Sequence, residues 1–160
     1  MNIAIDLDGT LVNTPELIEK YSGEPFDVVK KGRWYDIIWV EHFDEIQFYP
    51  HAEETVSALS KEHDVEIVTR QLNETMVKKW LSKTKLKDIP IRFVAADFSQ
   101  PKYSPDTDII IEDLCVEVRA FDGIKFLIKK HYNRKCHLNV DYVFEDWSEV
   151  YDVIKLFEED

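Results

Sequence analysis

Three short, largely apolar runs in this chain stop abruptly on polar groups. Ile3-Ala4-Ile5 leads into Asp6-Leu7-Asp8-Gly9-Thr10, Val65-Glu66-Ile67-Val68 into Thr69-Arg70, and Ile109-Ile110-Ile111 into Glu112-Asp113. Runs of this length and character read as strands buried on both faces, which is the habit of parallel sheets. Their polar ends then open into loops. Two aspartates one residue apart in an extended segment point the same way, and their repulsion makes the pair costly unless a cation or phosphate chemistry uses it. Gly9 lets the backbone turn sharply beside a ligand, and Thr10 adds a hydroxyl.

Helical signals alternate with these runs. Asn13-Thr14-Pro15-Glu16 is a helix start, with a capping hydroxyl, proline in the first turn and an acid at the positive end of the dipole. Gly23-Glu24-Pro25 ends that helix, and Phe26, Val28 and Val29 fit another short helical piece. From Trp34 to Phe48 aromatic and aliphatic residues recur at helical spacing, which predicts a helical insert. Ala52, Val56 and Leu59 mark one face of the next helix, and Asn73 is placed to cap another carrying Met76, Val77, Trp80 and Leu81. Further strands are expected at 91–94, 123–128 and 142–144, with a last helix over 148–157. Strands alternating with helices predict an α/β fold, a doubly wound, Rossmann-like parallel sheet with right-handed crossovers. The expected division is a core of residues 1–13 and 49–160, with residues 14–48 as a small helical cap inserted after the first strand.

The 160 residues suit one domain, and a formal net charge of −12 argues against stable binding to a polyphosphate backbone. Two cysteines, Cys115 and Cys136, are too few for a disulfide framework, and Cys115 reads as a small packing residue. No run approaches the roughly 18 apolar residues of a membrane helix, so a cytoplasmic location is the default expectation. Glu158-Glu159-Asp160 reads as a solvated end.

Ligands of open α/β sheets bind beyond the carboxyl ends of the strands. Asp6, Asp8, Thr69, Arg70, Glu112 and Asp113 should therefore converge, and Lys102, ten residues before Glu112, can bring a cation to the same edge. Asp6-Leu7-Asp8-Gly9-Thr10-Leu11 resembles the first motif of the haloacid dehalogenase-like superfamily, with Thr69, Lys102 and Glu112-Asp113 in the places of its second, third and fourth motifs. Within it, the small insert, the interval from Lys102 to the acid pair, and Gly123 to Ile128 leading to His131-Tyr132-Asn133-Arg134 resemble the 5′(3′)-deoxyribonucleotidases. Those relatives often carry Thr-Ser where this chain has Thr69-Arg70.

The resemblance implies a Mg²⁺-dependent phosphomonoesterase acting on a small phosphorylated substrate, plausibly a deoxyribonucleotide. Asp6 would be nucleophile and metal ligand, Asp113 the second carboxylate ligand, and Asp8 a ligand through its carbonyl whose side chain serves as acid and base. Thr69, Lys102 and Arg70 would hold the phosphoryl group, and Glu112 would orient Lys102 or a metal-bound water. An acid at Asp8 favours phosphatase over dehalogenase, because halide leaves without a proton. Trp34, Tyr35, Trp39 and Phe43 could stack on a base or wall off a sugar, although such a stripe is more often the core of a helical insert. The alternatives are a phosphatase for a phosphosugar or other small metabolite, one for terminal nucleic-acid phosphates, and an idle domain used for binding or regulation. The oligomeric state is left open.

Overall fold

The computed structural model describes residues 1–159; Asp160, part of the expected acidic end, lies outside the described residues. Six parallel strands form one sheet: β1 (Asn2–Ile5), β2 (Asp64–Thr69), β3 (Ile91–Phe93), β4 (Ile109–Glu112), β5 (Ile124–Ile128) and β6 (Tyr142–Phe144), in the order β3-β2-β1-β4-β5-β6. Order reverses beside β1, so the strand with the aspartate pair occupies the topological switch point where ligands of such sheets bind. The register sets Ile5 against Ile67 and Ile111, so the three polar ends emerge side by side.

Helices cover the sheet, α3 and α4 through the faces expected of them. Ala52, Val56 and Leu59 of α3 (Ala52–Leu59), Val77 and Leu81 of α4 (Glu74–Leu81), and Val150 and Ile154 of α6 (Val150–Glu158) are buried in the core. The 14–48 excursion carries α1 (Thr14–Ser22) and α2 (Lys31–Glu41), followed by one 3₁₀ turn, Phe43–Glu45. It leaves and re-enters through a short stem. Val12 bridges Phe48 antiparallel, Asn13 N–H donates to the Gln47 carbonyl at 3.0 Å, and Tyr49 N–H donates to the Leu11 carbonyl at 2.9 Å.

Some local expectations are corrected. Residues 26–28 form a turn, not a helix, with the Val28 and Val29 amides bonded back to the Pro25 carbonyl. Asn13 and Asn73 stand at helix N-termini without capping through their side chains: Thr14 Oγ1 turns to Asp8, and Asn73 Nδ2 to Asp36 at 2.7 Å. A short α5 (Cys115–Arg119) and a 3₁₀ stretch, His131–Asn139 kinked at Asn133, lack the periodicity that would have announced them. Cys115 is no free thiol: it is paired with Cys136 in a disulfide, Cα atoms 5.7 Å apart, joining α5 to the 3₁₀ stretch. No helix among the described residues is long and apolar enough to cross a membrane.

The carboxyl-terminal segment also braces the aspartate loop. The Trp147 indole is buried and donates from Nε1 to the Thr10 carbonyl at 2.9 Å. Trp147→Phe keeps most of the apolar contact but leaves that carbonyl unpaired, at a cost of about 1–3 kcal/mol. At roughly 2–4 °C per kcal/mol for a chain of this size, calorimetry should show a drop in Tm of several degrees; an unchanged Tm would contradict the brace.

Candidate active site

Strand β1 ends at Ile5, and the next five residues build the centre of the site. Asp6 is buried, Gly9 takes φ +80° and Thr10 is fully buried. Gly9 fits here because a Cβ would run into Asp113 Oδ2 and the Tyr132 hydroxyl, in a conformation that side chains avoid. The tight turn thus lets the Asp6 loop lie against the Asp113 loop.

Lys102 is buried and its Nζ lies 2.5 Å from both Asp6 Oδ1 and Glu112 Oε1. Burial alone would lower its pKa, but the Asp6 and Glu112 carboxylates outweigh that and raise it, so the ammonium is kept. Glu112 has no unused oxygen: Oε1 accepts from Lys102 and from the Tyr103 hydroxyl at 2.7 Å, and Oε2 accepts from the amides of Asp113 and Leu114 at 2.8 and 3.1 Å. Burial pushes the Glu112 pKa up, but Lys102 and these donors more than reverse it, so its pKa is lowered.

Asp6 and Asp113 are less well compensated. Thr10 Oγ1 lies 3.0 Å from Asp6 Oδ2 and 3.5 Å from Asp113 Oδ1, and the Tyr132 hydroxyl donates to Asp113 Oδ2 at 2.5 Å. Burial and then the Glu112 charge raise Asp6 to about 7, against the pull of Lys102. Burial, with Asp6 and Glu112 close by, raises Asp113 well above the carboxylate range. One carboxylate oxygen from each of Asp6, Glu112 and Asp113 lies within 4.8 Å of the others. A buried, under-neutralised acid pair with hard oxygen donors fits a divalent cation such as Mg²⁺.

Asp8 is wired differently. Its Oδ1 accepts from Thr14 Oγ1 at 2.7 Å and Trp39 Nε1 at 3.0 Å, and its Oδ2 from Gln71 Nε2 at 3.3 Å. Burial raises its pKa, opposed by these three neutral donors. Beside it, Thr69 Oγ1 accepts the Gln71 amide at 3.0 Å, which leaves its own hydroxyl proton to point elsewhere.

Asp6, Asp8, Thr69, Arg70 and Lys102 line one cavity of about 250 Å³, closed by Tyr35 from α2 and by Leu72 and Phe98. Of the four aromatic candidates in the excursion, only Tyr35 reaches it. Trp39 is wholly buried against Asp8, Trp34 packs on the core, and Phe43 lines a different hollow with Trp80. Arg70 lines the cavity with one bond at each guanidinium nitrogen: Nε with Glu117 Oε1 at 2.6 Å, Nη1 with the Ala95 carbonyl at 2.5 Å and Nη2 with the Gln100 carbonyl at 3.0 Å, while its guanidinium lies over the Phe98 ring. Asn133, named in the sequence only within the His131–Arg134 run, donates from Nδ2 to the carbonyls of Asp113 and Ile128, 2.8 Å each, and so ties the polar end of β4 to β5.

The profile of the family described as 5′ nucleotidase, deoxy (Pyrimidine), cytosolic type C protein matches residues 13–158, starting just past the Asp6-Asp8 loop. No match to a curated protein was found by sequence. Among solved structures, a haloacid dehalogenase-like family hydrolase from Streptococcus pneumoniae is 17% identical with a TM-score of 0.64, covering 96% of this chain and 97% of its own. A chain described as a predicted phosphatase from Clostridium acetobutylicum is 14% identical with a TM-score of 0.68, covering 96% and 97%. The haloacid dehalogenase-like phosphatase from Thermococcus onnurineus is 14% identical with a TM-score of 0.60, covering 96% and 97%. At these identities the likeness is one of fold.

The acid cluster has a thermodynamic consequence. Because burial and like charge raise Asp6 to about 7 and Asp113 well above its ordinary value, the folded metal-free protein retains protons that the unfolded chain has released. Their stabilising contribution is full below the ordinary carboxylate range and is lost as pH rises through about 7. The Tm of metal-free protein should therefore fall between pH 5 and pH 7.5, and Mg²⁺ should raise it more at the higher pH, where it competes with fewer protons. Asp113→Asn should abolish the Mg²⁺ response; an equal response at both pH values would contradict the cluster's assignment.

Proposed function

This chain belongs to the deoxy (pyrimidine) 5′-nucleotidase, cytosolic type C family, and on that premise we propose that it is a Mg²⁺-dependent phosphomonoesterase working through a phosphorylated Asp6, with a deoxyribonucleoside monophosphate as substrate. The observation that carries this reading is the buried constellation of Asp6, Thr10, Lys102, Glu112 and Asp113 opening onto the cavity that Asp8 and Thr69 also line. Membership in the family makes it a hydrolase of phosphate esters; the nucleotide, the cation and the residue roles are our proposal.

Asp6, the Asp8 carbonyl and Asp113 would hold the cation. When bound, it would supply the positive charge that lets a carboxylate approach a phosphate dianion. Lys102 holds Asp6 by one oxygen and would contact the phosphoryl group with Thr69, whose hydroxyl proton is uncommitted. In the first step the Asp6 oxygen bonds phosphorus as the ester P–O bond breaks, and the departing oxygen takes a proton from Asp8. In the second, water attacks the phosphorylated Asp6, gives a proton back to Asp8, and leaves inorganic phosphate and free Asp6.

Arg70 is proposed as the brace of the 95–100 segment, since its donors serve Glu117, Ala95 and Gln100. Residues 14–48 are proposed as the cap, with Tyr35 as its contribution to the leaving-group wall. Tyr35, Leu72 and Phe98 give that wall an apolar character suited to a base and sugar.

Phosphate release should be compared across deoxyribonucleoside 5′- and 3′-monophosphates, phosphosugars and an aryl phosphate, with and without Mg²⁺. Selective, Mg²⁺-dependent release from deoxyribonucleotides is expected, with a loss of at least about 10³-fold in Asp6→Asn, in line with removal of a nucleophile. Activity confined to phosphosugars would replace the nucleotide assignment. Undiminished turnover in Asp6→Asn would overturn the mechanism.

A further inference from the structure

We propose that Trp39 is a positioning residue: its indole N–H, reaching in from the cap helix α2, fixes the Asp8 side chain with Oδ1 engaged by the protein and Oδ2 turned to the departing oxygen. The inference rests on the phosphomonoesterase reading, in which Asp8 delivers and recovers the proton.

The geometry is specific. Asp8 Oδ1 receives two donors, Thr14 Oγ1 and Trp39 Nε1, at 2.7 and 3.0 Å, whereas Oδ2 has one long contact, Gln71 Nε2 at 3.3 Å. Two good donors satisfy Oδ1, so the oxygen free to exchange with substrate is Oδ2. The Gln71 amide is itself oriented, because its Oε1 accepts from Leu72 N–H at 3.0 Å, Asn73 N–H at 3.3 Å and Asn73 Nδ2 at 2.8 Å. Asp8 and Gln71 both line the cavity that holds Asp6 and Lys102. The carboxylate is therefore clamped on one oxygen and open on the other.

Trp39 differs from the other two donors in where it comes from. Thr14 opens α1 and Gln71 lies in the loop after β2, whereas Trp39 lies in α2, whose docking on the core decides whether its N–H reaches Asp8. Its ring is wholly buried and meets the core residue Trp80 edge-on, centroids 6.3 Å apart at 89°. The seat of α2 and the orientation of the acid are thus one contact. If α2 shifts, Asp8 loses a donor and its side chain gains freedom to rotate. A buried indole N–H needs an acceptor, and the one that Trp39 takes is this carboxylate.

The test separates orientation from packing. Trp39→Phe keeps a ring against Trp80 and removes the N–H. With a nucleoside 5′-monophosphate, whose alkoxide must be protonated to leave, kcat/KM, which reports the step that expels the leaving group, should fall about 10- to 100-fold, a fraction of what general-acid catalysis contributes. With p-nitrophenyl phosphate, whose leaving group departs without a proton, kcat/KM should change by less than about 3-fold. An equal loss on both substrates marks a packing role and overturns the inference, as does no loss on either.

A readout independent of activity uses metal-free protein. Of the four indole N–H signals, the one missing in Trp39→Phe is that of Trp39. It should move in the ¹⁵N–¹H spectrum of Asp8→Ala, and a signal that stays put removes the contact while leaving the phosphatase reading intact. Wild-type protein without phosphatase activity, with the Trp39 signal still moving in Asp8→Ala, would overturn the function and the positioning role while confirming the contact.

Discussion

The Lys102 ammonium, held between Asp6 and Glu112 at 2.5 Å from each, is the contact on which the rest of this structure turns. Two strand ends, those of β1 and β4, deliver acids to one buried place, and without an internal cation their mutual repulsion would oppose the packing that brings the two strands together. Lys102 neutralises part of that charge and fixes Glu112, which also receives Tyr103 and two main-chain amides. The remaining excess, on Asp6 and Asp113, is held by hydroxyls from Thr10 and Tyr132. Such donors can order two carboxylates but cannot cancel their charge. On the proposed reading, that residual imbalance would make the place receptive to a cation and an anionic substrate together.

Much of this frame was legible because burial writes itself into sequence. Apolar runs that end on acids identify β1 and β4 and place their ends on one edge, and the faces of α3, α4 and α6 follow from helical spacing. What could not be read is what depends on the direction of single side chains. Trp39 looked like part of an aromatic stripe; that its one polar atom meets Asp8 is a matter of how α2 docks, which no spacing encodes. Tyr132 and Asn133 sit in a kinked 3₁₀ stretch with no period to reveal it, and they reach Asp113 across the turn that follows β5. Asn13 and Asn73 illustrate the converse. The helix-start signals mark the right positions, but neither side chain caps: Asn13 Oδ1 accepts from Gln47 N–H across the stem, and Asn73 is turned so that its Nδ2 donates to Asp36.

Arg70 shows how one residue can couple cavity shape to charge. It follows Thr69, the end of β2, and its guanidinium joins Glu117 of α5 to the carbonyls of Ala95 and Gln100 while stacking over Phe98. Phe98 has φ +60°, a conformation that non-glycine residues seldom adopt, and the surrounding contacts hold it there on the cavity wall. The same segment leads to Lys102. A loop without secondary structure is thereby given a fixed course at the two points that matter, its aromatic wall and its buried cation.

Two aspartates separated by one residue have been given opposite surroundings, and that contrast is what an acid–base division of labour requires. Asp6 meets a full positive charge in Lys102, and a divalent ion bound beside it would pull its carboxylate further toward the charged form. Asp8 meets only neutral donors, a hydroxyl, an indole and an amide, while burial raises its affinity for a proton. On the proposed reading, a bound cation would spread their proton affinities apart, leaving Asp6 bare to attack and Asp8 able to carry the proton that the departing oxygen needs. A substrate whose leaving group required no proton would have little use for Asp8 in this setting. The three donors that hold it are thus better explained by hydrolysis of an alkyl phosphate than by displacement of a halide.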